Sequence, residues 1–227
     1  MWKYLSLKEL VKLIIFPLTI IFVSFPNLVR HLLFLFFKKK IPILKMNCVF
    51  LLNPKSGLNF GDQLLNILNE MYPKERVINL LEDNALSLFQ NQIEKLNNDE
   101  YLYVVICGGD GTVSTMIDKI EKNADWLRKC VFVPMPLGTG NDLSIILNHG
   151  SGVAIDDLYL YFNRLNSSKT KIANIDLWNV TYTNHQNGQV VHRKMLLYFG
   201  IGYDGRITRI WNRYRLNYKF MFMNGVG

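Results

Sequence analysis

The sequence predicts an α/β protein built on a parallel sheet. Short apolar runs at residues 47–52, 76–81, 101–107 and 131–135 alternate with stretches of helical periodicity. The runs are continuously apolar, which is the pattern of strands covered on both faces. Each is followed by turn residues and then a helix, the order of a βα unit.

The elements follow in order. Residues 47–52 (NCVFLL) form a buried strand ended by Asn53-Pro54. Residues 61–72 place Leu64, Leu65, Ile67, Leu68 and Met71 at helical spacing, and Pro73 stops that helix. A strand at 76–81 precedes a helix at 85–96, with Leu88, Phe89, Ile93 and Leu96 on one side. The most hydrophobic strand, 101–107 (YLYVVIC), leads to a helix at 112–121 with Val113, Met116, Ile117 and Ile120 inward. A fourth strand at 131–135 leads to a helix beginning at Asp142. Near residue 170 the pattern changes. Residues 171–183 and 189–201 read as the strands of a β-hairpin turning at Asn184-His185-Gln186-Asn187-Gly188, and a basic, helix-compatible segment covers 203–216. Three units result: 1–46, an α/β unit at 47–168, and the start of a β-rich second unit at 169–227.

Residues 1–46 hold eight lysines and arginines against Glu9 alone, so nearly all of the net charge of +8 lies there. The basic balance therefore gives no sign of a nucleic-acid surface on the main unit. Residues 10–29 carry only Lys12 as a charge, long enough for a helix across a hydrocarbon core of about 30 Å. Pro17 and Pro26 interrupt it, so a single span and a re-entrant or interfacial segment both fit. A cleaved signal peptide is disfavoured, because no small-x-small site follows the apolar run. Lys38, Lys39 and Lys40 place the chain beyond residue 40 on the cytoplasmic side of a membrane. Cys48, Cys107 and Cys130 are too few and scattered for a disulfide framework or zinc site, and the first two read as buried thiols in a reducing compartment.

Parallel sheets bind ligands at the carboxyl ends of their strands. Three unusual loops fall there: Asn53-Pro54-Lys55-Ser56-Gly57, Gly108-Gly109-Asp110-Gly111-Thr112, and Pro136-Leu137-Gly138-Thr139-Gly140-Asn141-Asp142. Glycines let backbone come close to a phosphate, and a helix starting at Thr112 offers amides and a dipole that favour an anion. A carboxylate among them repels phosphate unless a cation lies between, so Asp110 is read as acting through Mg²⁺. Ser56, Thr139 and Asn141 supply neutral donors to phosphate or ribose, and Lys55 a counter-charge.

These three segments, together with Ile175-Asp176-Leu177-Trp178 and Phe199-Gly200-Ile201-Gly202-Tyr203-Asp204-Gly205, closely resemble the catalytic domain of eukaryotic diacylglycerol kinases over about residues 47–215. The resemblance implies a phosphofructokinase-like α/β domain that binds ATP and Mg²⁺, joined to a β-rich domain, with the active site in the cleft between. It implies phosphoryl transfer from ATP to a diacylglycerol-type membrane lipid, yielding phosphatidic acid, with Asp110 as the catalytic and metal-organising residue. Gly108, Gly109, Gly111 and Thr112 would hold phosphates; Asn53, Pro54, Lys55, Ser56, Gly57, Gly138, Thr139, Gly140, Asn141 and Asp142 would complete the nucleotide site. Sphingosine and ceramide kinases are similar but usually carry an SGDG variant, and NAD kinases share GGDGT without PLGTGND. The family's later Asp-Gly-Glu-type motif does not occur after Asp204. A truncated or membrane-anchored nucleotide-binding pseudokinase is therefore the competing expectation. Asp204 reads better as a turn residue than as a general base, and the four histidines have no spacing that suggests a role. Arg206, Arg209, Arg213, Arg215 and Lys219, with Trp211, Tyr214 and Tyr218 among them, read either as a solvated face or as a surface for anionic lipid.

Overall fold

A computed structural model of the chain describes residues 41–57, 60–154 and 157–217. The apolar segment expected to meet a membrane falls in residues 1–40, outside the described residues, and among those described no helix is long and apolar enough to cross one. In chain order the elements are β1 (Cys48–Leu52), α1 (Phe60–Met71), a 3-10 turn (Lys74–Arg76), β2 (Val77–Asn79), α2 (Ala85–Glu94), β3 (Leu102–Gly108), α3 (Asp110–Ile120), α4 (Ala124–Lys129), β4 (Cys130–Pro136), α5 (Asp142–Ile146), α6 (Leu158–Leu165), β5 (Trp178–Thr183), β6 (Val190–Met195) and α7 (Tyr203–Asn217).

The first four strands are all parallel, in the order β2-β1-β3-β4. Strand alternation sends Cys48, Phe50 and Leu52 to one face and Val49 and Leu51 to the other, and all five are buried. On the first face lie Leu64, Ile67 and Leu68 of α1 with Leu158, Tyr161, Phe162 and Leu165 of α6. On the second lie Phe89 and Ile93 of α2 with Val113, Met116, Ile117 and Ile120 of α3. Phe50 sits between Tyr72, at 4.7 Å between ring centroids, and Phe162, at 6.1 Å. Pro134 and Pro136 lie in β4, which tolerates them as an edge strand because no neighbour needs their missing amides. Cys48 and Cys107 are buried as expected. Desolvation raises both thiols, Cys48 to about 11, which makes them inert.

The sequence does not reveal α4 or α6. Asn123 caps α4 by accepting from the amides of Asp125 and Trp126. The amphipathic face of α6 closes the first core. Its end also holds the entering chain: the Asn166 amide accepts from Lys45 N at 2.9 Å and donates to Ile43 O at 2.9 Å.

The hairpin forms, but with shorter strands than expected. Thr183 pairs with Val190 at the turn, and the ladder ends where Trp178 meets Met195. Beyond it Leu177, Leu196 and Leu197 turn in against the second core, and burying them removes the chain from the ladder. Lys194 fixes this unit to α3. Its amide donates to Asp118 Oδ1 at 3.0 Å, and its ammonium pairs with Glu121 Oε1 at 2.6 Å.

One buried polar cluster ties α5 and α6 to β4. Ser144 Oγ and Tyr161 Oη each donate to Pro134 O at 3.0 Å, and Tyr161 Oη lies 3.3 Å from His149 Nδ1. The tyrosine proton is committed to the carbonyl, so Nδ1 carries the hydrogen that binds the phenol oxygen. Burial, and then Arg164, hold the His149 pKa below 6.5. A depressed folded pKa gives stability that is present above 6.5 and lost as pH falls through 6.5 toward the folded value. The melting temperature should therefore fall as pH drops from about 7.5 to about 5.5, and His149→Gln should make that fall shallower. Parallel pH curves for the two proteins would contradict this account.

Candidate functional site

β1 leads across α1 to β2 on one side, and the next strand, β3, pairs on β1's other side. The sheet therefore reverses direction between β1 and β3, and such a switch point opens a crevice at the carboxyl ends of the strands. The first two loops flank that crevice and the third adjoins them from β4.

The first loop is a tight turn. Asn53 N donates to Cys107 O at 3.1 Å, Asn53 Oδ1 accepts from Lys55 N at 3.1 Å, and Asn53 O accepts from Ser56 N at 3.0 Å. Pro54 is buried, whereas Lys55 is exposed. Gly57 has φ +65°, the left-handed region that glycine takes without strain. Gly61, in the first turn of α1, lies against this loop so closely that a Cβ there would strike Pro54 O and lie 2.7 Å from Asn53 O. The sequence offers only a hint of this: a glycine four residues after Gly57, at a helix start.

The second loop passes from β3 into α3 almost without a loop. Gly109 caps the helix with extended backbone, and the helix begins at Asp110, two residues before the expected Thr112. Thr112 N and Val113 N both bond Gly109 O, which leaves the amides of Asp110 and Gly111 as the free donors of the first turn. The Thr112 side chain covers Gly108, and its Oγ1 accepts from Asn53 Nδ2 at 3.4 Å.

The third loop rests on the other two. A Cβ on Gly138 would strike Gly109 Cα, and one on Gly57 would lie 3.2 Å from Leu137 O. Asn141 adopts the left-handed conformation with φ 57° and is 2% exposed. Its Oδ1 accepts from Gly138 N at 2.8 Å, and its Nδ2 donates to Gly138 O at 2.8 Å and Ser151 O at 2.7 Å. The sequence suggests Asn141 as a donor to a ligand. Its amide hydrogens are taken by Gly138 within the loop and by Ser151 beyond α5, so the side chain braces the loop. Thr139 and Gly140 are exposed at its tip.

Asp110 joins the second and third loops. Its Oδ2 accepts from Asp142 N at 2.9 Å and its Oδ1 from Leu143 N at 3.1 Å, so it caps the start of α5. A carboxylate has about four lone-pair positions. Two remain for a cation. The Asp142 carboxylate lies close by: a Cβ on Gly140 would be 3.5 Å from Asp110 Oδ2 and 3.8 and 3.9 Å from Asp142 Oδ2 and Oδ1. Asp142 Oδ2 accepts from Tyr198 Oη at 2.9 Å, and that bond raises the Tyr198 pKa and keeps the phenol a donor. Tyr198 is not evident from sequence, where it reads as one more residue of a returning strand. Asp204 lies in the first turn of α7, its carbonyl accepting from Thr208 Oγ1 at 2.9 Å, so the turn expected there is the start of a helix.

An all-parallel sheet with three glycine-bearing loops closed around its switch point is the architecture of an α/β ligand-binding domain. The family model of the diacylglycerol kinase catalytic domain matches residues 47–175, and the chain belongs to that family. Diacylglycerol kinase 2 of Arabidopsis thaliana is 30% identical over 165 residues, 69% of this chain and 22% of that protein. Diacylglycerol kinase 1 of the same plant is 30% identical over 162 residues, 69% of this chain and 21% of that protein. Diacylglycerol kinase eta of Drosophila melanogaster is 31% identical over 133 residues, 56% of this chain and 6% of that protein. The match thus spans 22% and 21% of the two plant relatives. No solved structure matches the chain.

Gly111 and Gly138 differ in what the packing asks of them. A Cβ on Gly111 meets nothing within 4 Å, so the fold itself does not need that glycine. Gly111→Ala should leave the urea midpoint unchanged or raise stability by up to about 1 kcal/mol. Gly138→Ala should cost about 1–3 kcal/mol by forcing two loops apart. Equal urea midpoints for the two variants would contradict this account of the contacts.

Proposed function

We propose that this chain carries the nucleotide-binding part of a lipid kinase, transferring the γ-phosphoryl of ATP to the free hydroxyl of diacylglycerol to give phosphatidic acid. The convergence of the three loops on the start of α3, with two carboxylates around Gly140, carries this reading. Family membership and the names of the relatives support the choice of lipid.

The groups present fit a magnesium nucleotide. The open flank of Gly111 leaves room for a phosphate beside the Asp110 and Gly111 amides. Among the described residues no three His, Cys, Asp or Glu side chains cluster to cage a metal. Mg²⁺ is commonly held by one or two carboxylates with substrate phosphates and water, and Asp110 and Asp142 provide such a pair. When bound, Mg²⁺ would neutralise charge on the phosphates. The chain's own part is positioning. The α3 amides and dipole bind and orient the phosphates, Gly108, Gly109, Gly111 and Thr112 form their bed, and Asn53 with Asn141 holds the loop backbones in register. Ser56, Thr139 and Lys55 stand at the rim as donors to the rest of the nucleotide. Catalysis of this type rests on alignment with the attacking hydroxyl and on fixed electrostatics.

The lipid side of the reading rests on the second unit and the N-terminus. We take the α/β unit as phosphofructokinase-like and β5, β6 and α7 as the beginning of a β-rich domain. On α7, Ile207, Ile210, Trp211 and Tyr214 recur at helical spacing and are exposed, alongside exposed Arg206, Arg209 and Arg213. That composition suits an anionic lipid surface. With Lys38, Lys39 and Lys40 it would hold the kinase unit at the cytoplasmic face of a membrane.

Labelled ATP, Mg²⁺ and diacylglycerol in mixed micelles test the proposal directly. The full chain should form labelled phosphatidic acid and bind ATP in a Mg²⁺-dependent way. Asp110→Ala should abolish that dependence and, by uncapping α5, cost roughly 1 kcal/mol of stability. Binding without turnover would assign the chain to a nucleotide-binding pseudokinase; no Mg²⁺-dependent binding would overturn the site.

A further inference from the structure

Lys194–Tyr198 forms a strap along α3. It begins at Lys194, whose amide meets Asp118 in the third turn of that helix, and ends at Tyr198, whose hydroxyl meets Asp142 beside the helix start. The lengths agree. Eight helical residues from Asp118 back to Asp110 rise about 12 Å; the chain from Lys194 to Tyr198 bends at Leu196 and Leu197 and so spans less than the about 13 Å that four fully extended residues reach, the tyrosine side chain covering the rest. Leu196 and Leu197 pack down onto the core that α3 shares, and Glu121 holds the Lys194 ammonium. The strap is thus fixed to the same helix whose N-terminus carries Asp110.

Packing does not account for Tyr198. The residue is 74% exposed, so its ring contributes little burial, and what it does make is one hydrogen bond to a carboxylate. That carboxylate is one of the two that face Gly140. An unrestrained Asp142 side chain at an exposed loop would sample several rotamers, and each would move its free oxygen by ångströms. With Oδ2 held by a phenol, the carboxylate keeps one orientation, its Oδ2 and Oδ1 lying 3.8 and 3.9 Å from where a Cβ on Gly140 would stand.

We propose that Tyr198 is a positioning residue of the nucleotide site, its hydroxyl holding the Asp142 carboxylate in the orientation that receives metal-bound phosphate. The second unit thereby completes the first: the hairpin's strap presets an acid of the third loop. This rests on the reading of the Asp110 and Asp142 pair as the metal-facing part of the site. It requires no proton transfer by Tyr198 and no contact of Tyr198 with the reacting atoms.

Calorimetric titration of the full chain with Mg·ATP, and with ATP in the presence of a chelator, tests it. Tyr198→Phe keeps the ring and removes only the hydroxyl. It should weaken Mg·ATP binding about three- to tenfold, as expected for a partly solvated bond to a charged group, with metal-free ATP affinity and melting temperature unchanged. In a double-mutant cycle with Asp142→Asn, adding Tyr198→Phe should cost nothing further, because its partner's charge is already gone. In turnover, the loss should fall on the Mg·ATP KM more than on kcat. Equal losses with and without metal, additive losses in the cycle, or no loss would overturn the proposal. A parent chain that fails to bind Mg·ATP at all would overturn the site reading beneath it, and so the two failures are distinguishable.

Discussion

Asp110 holds the site together before any ligand arrives. Its two oxygens accept from the first amides of α5, so one side chain at the start of α3 fastens the second strand-end loop to the third. A charge-assisted pair of this kind is among the stronger polar contacts a half-buried carboxylate makes. It also limits the residue's freedom. The two bonds hold the carboxylate in one orientation, the kind of preorganisation on which electrostatic sites rely.

The backbone contacts around this bond depend on the absence of side chains. Gly109 and Gly138 touch Cα to Cβ position, Gly57 lies against Leu137, and Gly61 lets α1 sit on the Asn53–Pro54 turn. Each contact joins two loops or a loop to a helix, so the three loops form one surface. The sheet order explains why they meet. With β1 and β3 adjacent and their crossovers leaving in opposite directions, the loops after these strands face each other with no helix between them.

The α/β class, the four parallel strands and the three loops are legible in the sequence because local signals agree there. Apolar runs such as 101–107 end at glycines, and helices follow with a periodic inner face. The features that escaped depend on tertiary context. The α6 helix is short, and its meaning lies in Tyr161 and Phe162 meeting the far side of β1 and β4. Asn141 looks like a ligand donor because it stands in a glycine-rich loop, yet its left-handed backbone turns the amide inward onto Gly138 and Ser151. Asp110 stands out in the sequence as an acid among strand-end glycines, but its grip on α5 is a contact across 32 residues that no local pattern encodes. Tyr198 lies farther still from its partner along the chain, 56 residues from Asp142.

The helix α3 is the shared element of the two units. Its first turn supplies amides and Asp110, its inner face fills the second core, and its last turns hold the hairpin through Asp118 and Glu121. A ligand on its N-terminus would therefore be felt by loops from three strands at once. Hydrogen–deuterium exchange of the full chain with and without Mg·ATP tests this claim most directly. The account predicts that slowed exchange appears together in the segments 53–57, 108–113 and 138–143. Slowed exchange confined to one of them, or found only on α2 and α4, would contradict it.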